Sequence, residues 1–154
     1  MKQAFLISAI GVVLLLGCKK SSESQPPTQS KSQWTYDGKT YTATDAGYNE
    51  NSNELIASDT NGNFVRVFFG SIGKPTASAH LVVLNYADPF TGPSQCSLQV
   101  GNMYNTTVQP LSTGKAGDTV FLIVSPSGKL SASFSNISVL DGTTTKTVSG
   151  ALAE

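Results

Sequence analysis

One histidine and two cysteines are the whole supply of soft metal ligands in this chain. A zinc site takes three or four His, Cys, Asp or Glu ligands, so no metal centre is expected. A Ser-His-Asp triad would have to be assembled around His80 alone. That residue opens an apolar run, where a structural role is expected. No glycine-rich phosphate loop follows a strand and opens a helix, so no nucleotide cofactor is expected either. Charge is scarce, with Asp, Glu, Lys and Arg making up 13% of the chain. The Glu/Lys/Ala/Leu mixture of long surface helices is missing. Hydrophobic runs are short, with one exception at the start.

That exception is Ala4 to Leu16, an uncharged run behind Lys2. It has the length of a secretory signal core and falls short of the roughly 20 apolar residues that cross a bilayer. It ends in Leu15-Leu16-Gly17-Cys18, which resembles the lipobox of bacterial lipoproteins. The resemblance implies a signal peptide over residues 1–17, cleavage between Gly17 and Cys18, and acylation of Cys18. Leu16 departs from the pattern, which favours a smaller residue there. Palmitate-like chains on Cys18 would make the lipid bilayer a partner, at roughly 0.8 kcal/mol per buried CH₂.

Residues 18–32 contain nothing to bury after Cys18: KKSSESQPPTQSKS is Ser, Lys, Gln, Pro, Thr and Glu only. Such a segment cannot offset its ordering entropy and reads as a tether. From Gln33 onward, six cations (Lys39, Arg66, Lys74, Lys115, Lys129, Lys146) face nine carboxylates (Asp37, Asp45, Glu50, Glu54, Asp59, Asp88, Asp118, Asp141, Glu154). A mildly acidic domain on a basic tether argues against nucleic acid as a partner.

Residues 33–154 are one domain's worth of chain. Short alternating runs between turn residues point to an all-β domain, an antiparallel meander of nine or ten strands, closed as a β-sandwich or a flattened β-barrel. Trp34-Thr-Tyr36-Asp37-Gly38-Lys39-Thr40-Tyr41 predicts a two-residue hairpin. It sets Trp34 opposite Tyr41 and Tyr36 opposite Lys39. Thr44 to Asn53 reads as a polar loop, Glu54 to Ser58 and Phe64 to Phe69 as strands. Asp59, Asn61 and Asn63 share a spacing with calcium loops, but Gly62 comes too early and no bidentate Glu follows, so a turn is expected. His80 to Tyr86 is continuously apolar and predicts burial on both faces. Gln95 to Val100 alternates, with Cys96, Leu98 and Val100 inward and Ser97 and Gln99 outward. Cys96 is therefore expected to be a buried, inert thiol with no disulfide. Tyr104 to Val108 reads as a short strand and Pro110 to Gly117 as a flexible loop. In the last third, Leu130, Ala132 and Phe134 alternate, then the phase slips to Ile137 and Val139. A β-bulge near Ser135-Asn136 would restore the inward face.

The lipobox, the Ser/Lys/Pro tether, the Trp34–Tyr41 hairpin and the terminal Lys129-Leu-Ser-Ala-Ser-Phe…Asp-Gly…Val-Ser-Gly pattern together resemble the small β-rich lipoproteins of Bacteroidetes. That resemblance implies an address and a fold class, and no catalytic residue. Lys19, in place of an Asp after the cysteine, favours the outer membrane, with the periplasmic or surface face open. The leading expectation is a non-catalytic cell-envelope lipoprotein that binds an envelope protein or polymer. A second is a glycan- or small-ligand-binding domain using Trp34, Tyr36, Tyr41, Tyr48 or Phe90. The bland reading of Trp34 is a lid on the core. A third is a hydrolase with a carboxylate pair that leaves no spacing in the sequence. Asn105-Thr-Thr and Asn136-Ile-Ser match the N-linked acceptor pattern. Asp118-Thr119-Val120 resembles the O-glycosylation motif of Bacteroidetes secreted proteins, which would make Thr119 an acceptor.

Overall fold

The structure, a computed structural model, describes residues 31–85, 87–103 and 112–154. The expected signal peptide, Cys18, most of the expected tether, Asn105 and the strand expected at Tyr104 to Val108 lie outside the described residues. Eleven strands are present among the described residues, with one turn of 3-10 helix at Gly70–Ile72. They are β1 (Gln33–Tyr36), β2 (Lys39–Thr42), β3 (Asp45–Asn49), β4 (Glu54–Ser58), β5 (Asn63–Phe68), β6 (Ala79–Val83), β7 (Gln95–Asn102), β8 (Ser112–Gly114), β9 (Thr119–Val124), β10 (Leu130–Asp141) and β11 (Thr144–Ala153). The domain is all-β.

One continuous sheet runs in the order β2-β1-β11-β10-β9-β6-β7-β5-β4-β3, with β8 paired to β10 and β7. Every pair is antiparallel except β6 with β7, where Val82 faces Gln95 and Val83 faces Cys96 in parallel. β2 and β3 are the two edges of the sheet, yet they follow one another in the chain. Thr42 and Asp45 are three Cα steps apart, at most about 11 Å, so the edges must be brought together by curling. The hydrogen bonds agree. Ala43 N donates to Ser32 O at 2.9 Å, on the β1 side, and Thr44 N donates to Ser58 O at 2.8 Å, on the β4 side. β11 consequently comes close to β3 and β4. The form is that of a sandwich or flattened barrel made from one curled sheet.

The opening hairpin has the expected register: Trp34 pairs with Tyr41, Thr35 with Thr40 and Tyr36 with Lys39. Asp37 and Gly38 take φ of 50° and 76°, the two left-handed residues of a type I′ turn. The bulge is also where the phase slip sets it, with the β10–β11 register shifting between Phe134 and Ile137 and Asn136 at φ 52°. Asp59 closes the β4–β5 turn. Its carboxylate accepts the backbone N–H groups of Asn61 and Asn63, both at 2.9 Å, and the Asn63 side-chain amide at 2.8 Å.

The core is one cluster of inward residues from both layers, among them Trp34, Leu55, Val67, Leu98, Phe134 and Leu152. Cys96 belongs to it, fully buried, and burial pushes its thiol up to about 12. No sulfur partner is present among the described residues.

Four expectations are corrected. Asp45–Asn49 is a strand, not part of a polar loop, because its backbone pairs along β4 from Ser58 to Glu54. Ser112–Gly114 is a strand inside the expected flexible loop. β6 is not covered on both faces: His80 is exposed and Val82 is 44% exposed. β7, expected to show a polar outer face to water, is buried on both faces from Cys96 to Val100. Hydrophobicity along a strand does not say what packs over its second face, and here the apolar strand is bare while the alternating one is covered.

Candidate functional site

The covered outer face of β7 begins with strand register. Arg66 of β5 sits directly opposite Gln99 of β7. Glu54 of β4 pairs with Phe68, which makes it the diagonal neighbour of Arg66, within reach of a long side chain. The three polar residues form a row. Arg66 Nη1 donates to Glu54 Oε2 at 2.9 Å, and Arg66 Nε donates to Gln99 Oε1 at 2.6 Å. Glu54 is 5% exposed and Gln99 fully buried. A buried ion pair of this kind regains its desolvation cost only with good geometry and further hydrogen bonds.

The row is incompletely satisfied. Gln99 spends its carbonyl on Arg66, and its Nε2 has no partner among the described residues; the same is true of the buried Ser52 and Ser97 hydroxyls. Each such group costs about 1–3 kcal/mol when left unbonded. Gln99, Ser52, Glu54, Arg66 and Phe68 line a cleft of about 460 Å³, with Asn51 and Ser71 at its exposed rim. Phe68 is held edge-on by Phe90, ring centroids 5.5 Å apart at 89°. Phe90 in turn rests on Gly70, where a Cβ would lie 2.7 Å from its ring. A side chain there would displace the aromatic wall.

Two other concavities differ in character. One, about 480 Å³ and mainly apolar, opens onto Phe69, Leu81 and Leu122 behind the Ile72–Ala77 loop. Its rim is already paired: Lys74 with Glu154 at 2.9 Å, and Gln95 Oε1 with Thr91 N at 2.7 Å. The other is a shallow shelf on β6 and β9 beside His80 and Phe121, whose rings meet at 4.4 Å.

The aromatic residues singled out by sequence are not gathered into one site. Trp34 is 1% exposed and stacks on Tyr41 at 5.2 Å and 10°; this corrects its candidacy as a ligand platform, because its ring is inside the core. Tyr41 is half-buried against it, with Lys39 Nζ 5.1 Å from the ring centroid. Tyr36 donates to Asp141 Oδ2 at 3.3 Å. Lys146 lies over its ring and bonds Asp141 at 2.7 Å and Asp37 at 3.4 Å. The Asp141 hydrogen bond, foremost, holds Lys146 above the usual lysine range. Tyr48 is half-buried, donates to Asn53 Oδ1 at 3.1 Å and lies under Lys74. Burial, with Glu50 and Glu154 nearby, raises its hydroxyl pKa. Phe90 backs the cleft wall through Phe68 without lining the cleft. Thr119 is half-buried at the start of β9. The adjacent Asp118 carboxylate accepts Ser138 N at 2.8 Å, the structural use expected of a turn aspartate. Asn136 is exposed at the bulge, its N–H donating to Ser149 Oγ.

Glu54, Arg66, Phe68 and Gln99 were not singled out as a site by sequence. The available signal is a lone arginine between Phe64 and Phe68 on a face otherwise apolar. Comparison with protein-family models, with curated proteins and with solved structures found no match.

Proposed function

We propose that this chain is a lipid-anchored protein of the bacterial cell envelope whose β domain is a non-catalytic binding module, with its ligand seated in the Glu54–Arg66–Gln99 cleft. The address rests on the sequence: the apolar run, the Leu15-Leu16-Gly17-Cys18 lipobox and the tether favour acylation of Cys18 at the outer membrane. The resemblance to β-rich lipoproteins of Bacteroidetes supports the same address.

The observation that carries the binding reading is Gln99, fully buried, lining a cleft, its amide N–H groups without an acceptor among the described residues. A fold keeps such groups chiefly where function uses them. Hydrolysis is the weaker reading. A glycosidase pair needs two carboxyl groups roughly 5 to 10 Å apart across one cleft, and Glu54 is the one acid among the described lining residues, already paired with Arg66.

The test blocks the cleft from its exposed rim. The full chain and an Asn51→Trp variant, both in detergent, are immobilised and exposed to a solubilised envelope extract. Material retained by the native chain and lost with Asn51→Trp is the expected result. Equal retention by both would refute the cleft as the binding site.

A further inference from the structure

We infer that the cleft takes a neutral saccharide, with ring hydroxyls on Glu54 and Arg66 and a C–H face against Phe68. This inference rests on reading the cleft as the ligand site and adds the ligand's chemical class.

Hydrogen-bond polarity argues for hydroxyls. The Glu54 carboxylate only accepts, while the Arg66 guanidinium only donates. Arg66 has five N–H donors, two of which go to Gln99 and Glu54, so three remain. An acceptor-only group and a donor-only group thus stand side by side at the cleft. The functional group that donates to the first and accepts from the second through a single atom is a hydroxyl.

Charge argues for neutrality. Glu54 and Arg66 neutralise one another at 2.9 Å. A charged ligand would meet one member of that pair as a like charge, a carboxylate beside Glu54 or an ammonium beside Arg66, which is unfavourable. A neutral polyol adds hydrogen bonds to the pair without breaking it.

Shape completes the match. Phe68 gives the cleft one apolar wall beside the polar row. Its position is fixed by the edge-on contact with Phe90 and by the close seating of Phe90 on Gly70. A sugar ring has the same division, an apolar C–H face bordered by equatorial hydroxyls. The volume of about 460 Å³ lies within the usual range of small-ligand sites.

The test titrates the full chain in detergent with cellotetraose, maltotetraose, mannotetraose and N-acetylchitotetraose. Trigalacturonate and free glutamate serve as charged probes. Saturation-transfer NMR and calorimetry read binding, and Trp34 emission checks the fold. At least one neutral tetrasaccharide should bind. Arg66→Lys keeps a cation beside Glu54 and removes the guanidinium fork, so it should weaken that binding about tenfold or more. Asn51→Trp, at the exposed rim, should do the same without touching the buried row. Binding indifferent to both variants would put the saccharide elsewhere and overturn the inference. Failure of every neutral probe would also overturn it. If trigalacturonate or glutamate then bound in a way that Asn51→Trp abolished, the cleft would stand as the ligand site and only the ligand class would fall.

Discussion

Replacing Gly150 with alanine tests how the Trp34 lid closes on the core. Gly150 of β11 pairs with Trp34 on one side and Phe134 on the other. A Cβ at this position would lie 2.8 Å from the Gln33 carbonyl oxygen, 2.8 Å from Trp34 Cβ and 3.1 Å from Phe134 Cζ. The first two atoms belong to, or hang directly from, the paired backbone of β1 and cannot swing aside. Overpacking a closed site costs about 1–3 kcal/mol. Removing glycine's freedom in the unfolded chain offsets about 0.4–1 kcal/mol of that. A net loss of about 1–2 kcal/mol is expected, which lowers the melting temperature by on the order of 4 °C per kcal/mol. Gly47 in β3 is the control, since nothing lies within 4 Å of an added Cβ there. Gly47→Ala should stabilise, by about 0.5–1 kcal/mol. The assay is urea unfolding read by fluorescence of the single, buried Trp34. The midpoint should fall for Gly150→Ala and rise for Gly47→Ala, with unchanged slopes. A Gly150→Ala midpoint at or above the native value would refute the close approach of β1 to β11.

Two further outcomes are expected. Cys96 should resist a thiol reagent in the folded chain at neutral pH and react once urea is added. Its folded pKa is raised to about 12, so the unfolded thiol ionises from about pH 8.5–9 while the folded one keeps its proton; stability therefore falls as pH rises through that window, by up to about 1.4 kcal/mol per pH unit. Denaturant melts of Cys96→Ala should show a shallower alkaline loss than the native chain, and an identical slope would contradict the assignment. If Cys18 carries the proposed acyl anchor, fractionation of cells should find Cys18→Ser released from membranes; firm retention would overturn the anchor.

Much of the fold was legible because β structure writes a period of two into the chain. The hairpin from Trp34 to Tyr41 followed from Asp37-Gly38 and the aromatic alternation on either side. The bulge at Asn136 followed from the slip between Phe134 and Ile137. The inward set Cys96, Leu98 and Val100 needed only that alternation. Where strands are very short or polar the pattern fades. β3 reads Asp-Ala-Gly-Tyr-Asn and is a strand because β4 pairs with it; β8 is three residues long and is held by β7 and β10. The cleft left almost no local trace. Glu54, Arg66 and Gln99 stand 12 and 33 residues apart, and only the register of β4, β5 and β7 sets them in one row.

By itself the sequence determined the period of the strands, the hairpin and bulge chemistry and the inward burial of Cys96, and its Leu15-Leu16-Gly17-Cys18 run carries the expected address. These depend on backbone geometry and on residues close together in the chain. The tertiary structure alone decided which strand faces were covered, baring His80 and Val82 on β6 while burying Ser97 and Gln99 on β7. It also joined the two sheet edges through Ala43 and Thr44 and brought a carboxylate, a guanidinium and an amide into one cleft. Those outcomes depend on hydrogen-bond register between distant segments and on what packs over each strand, neither of which is written in a strand's own alternation.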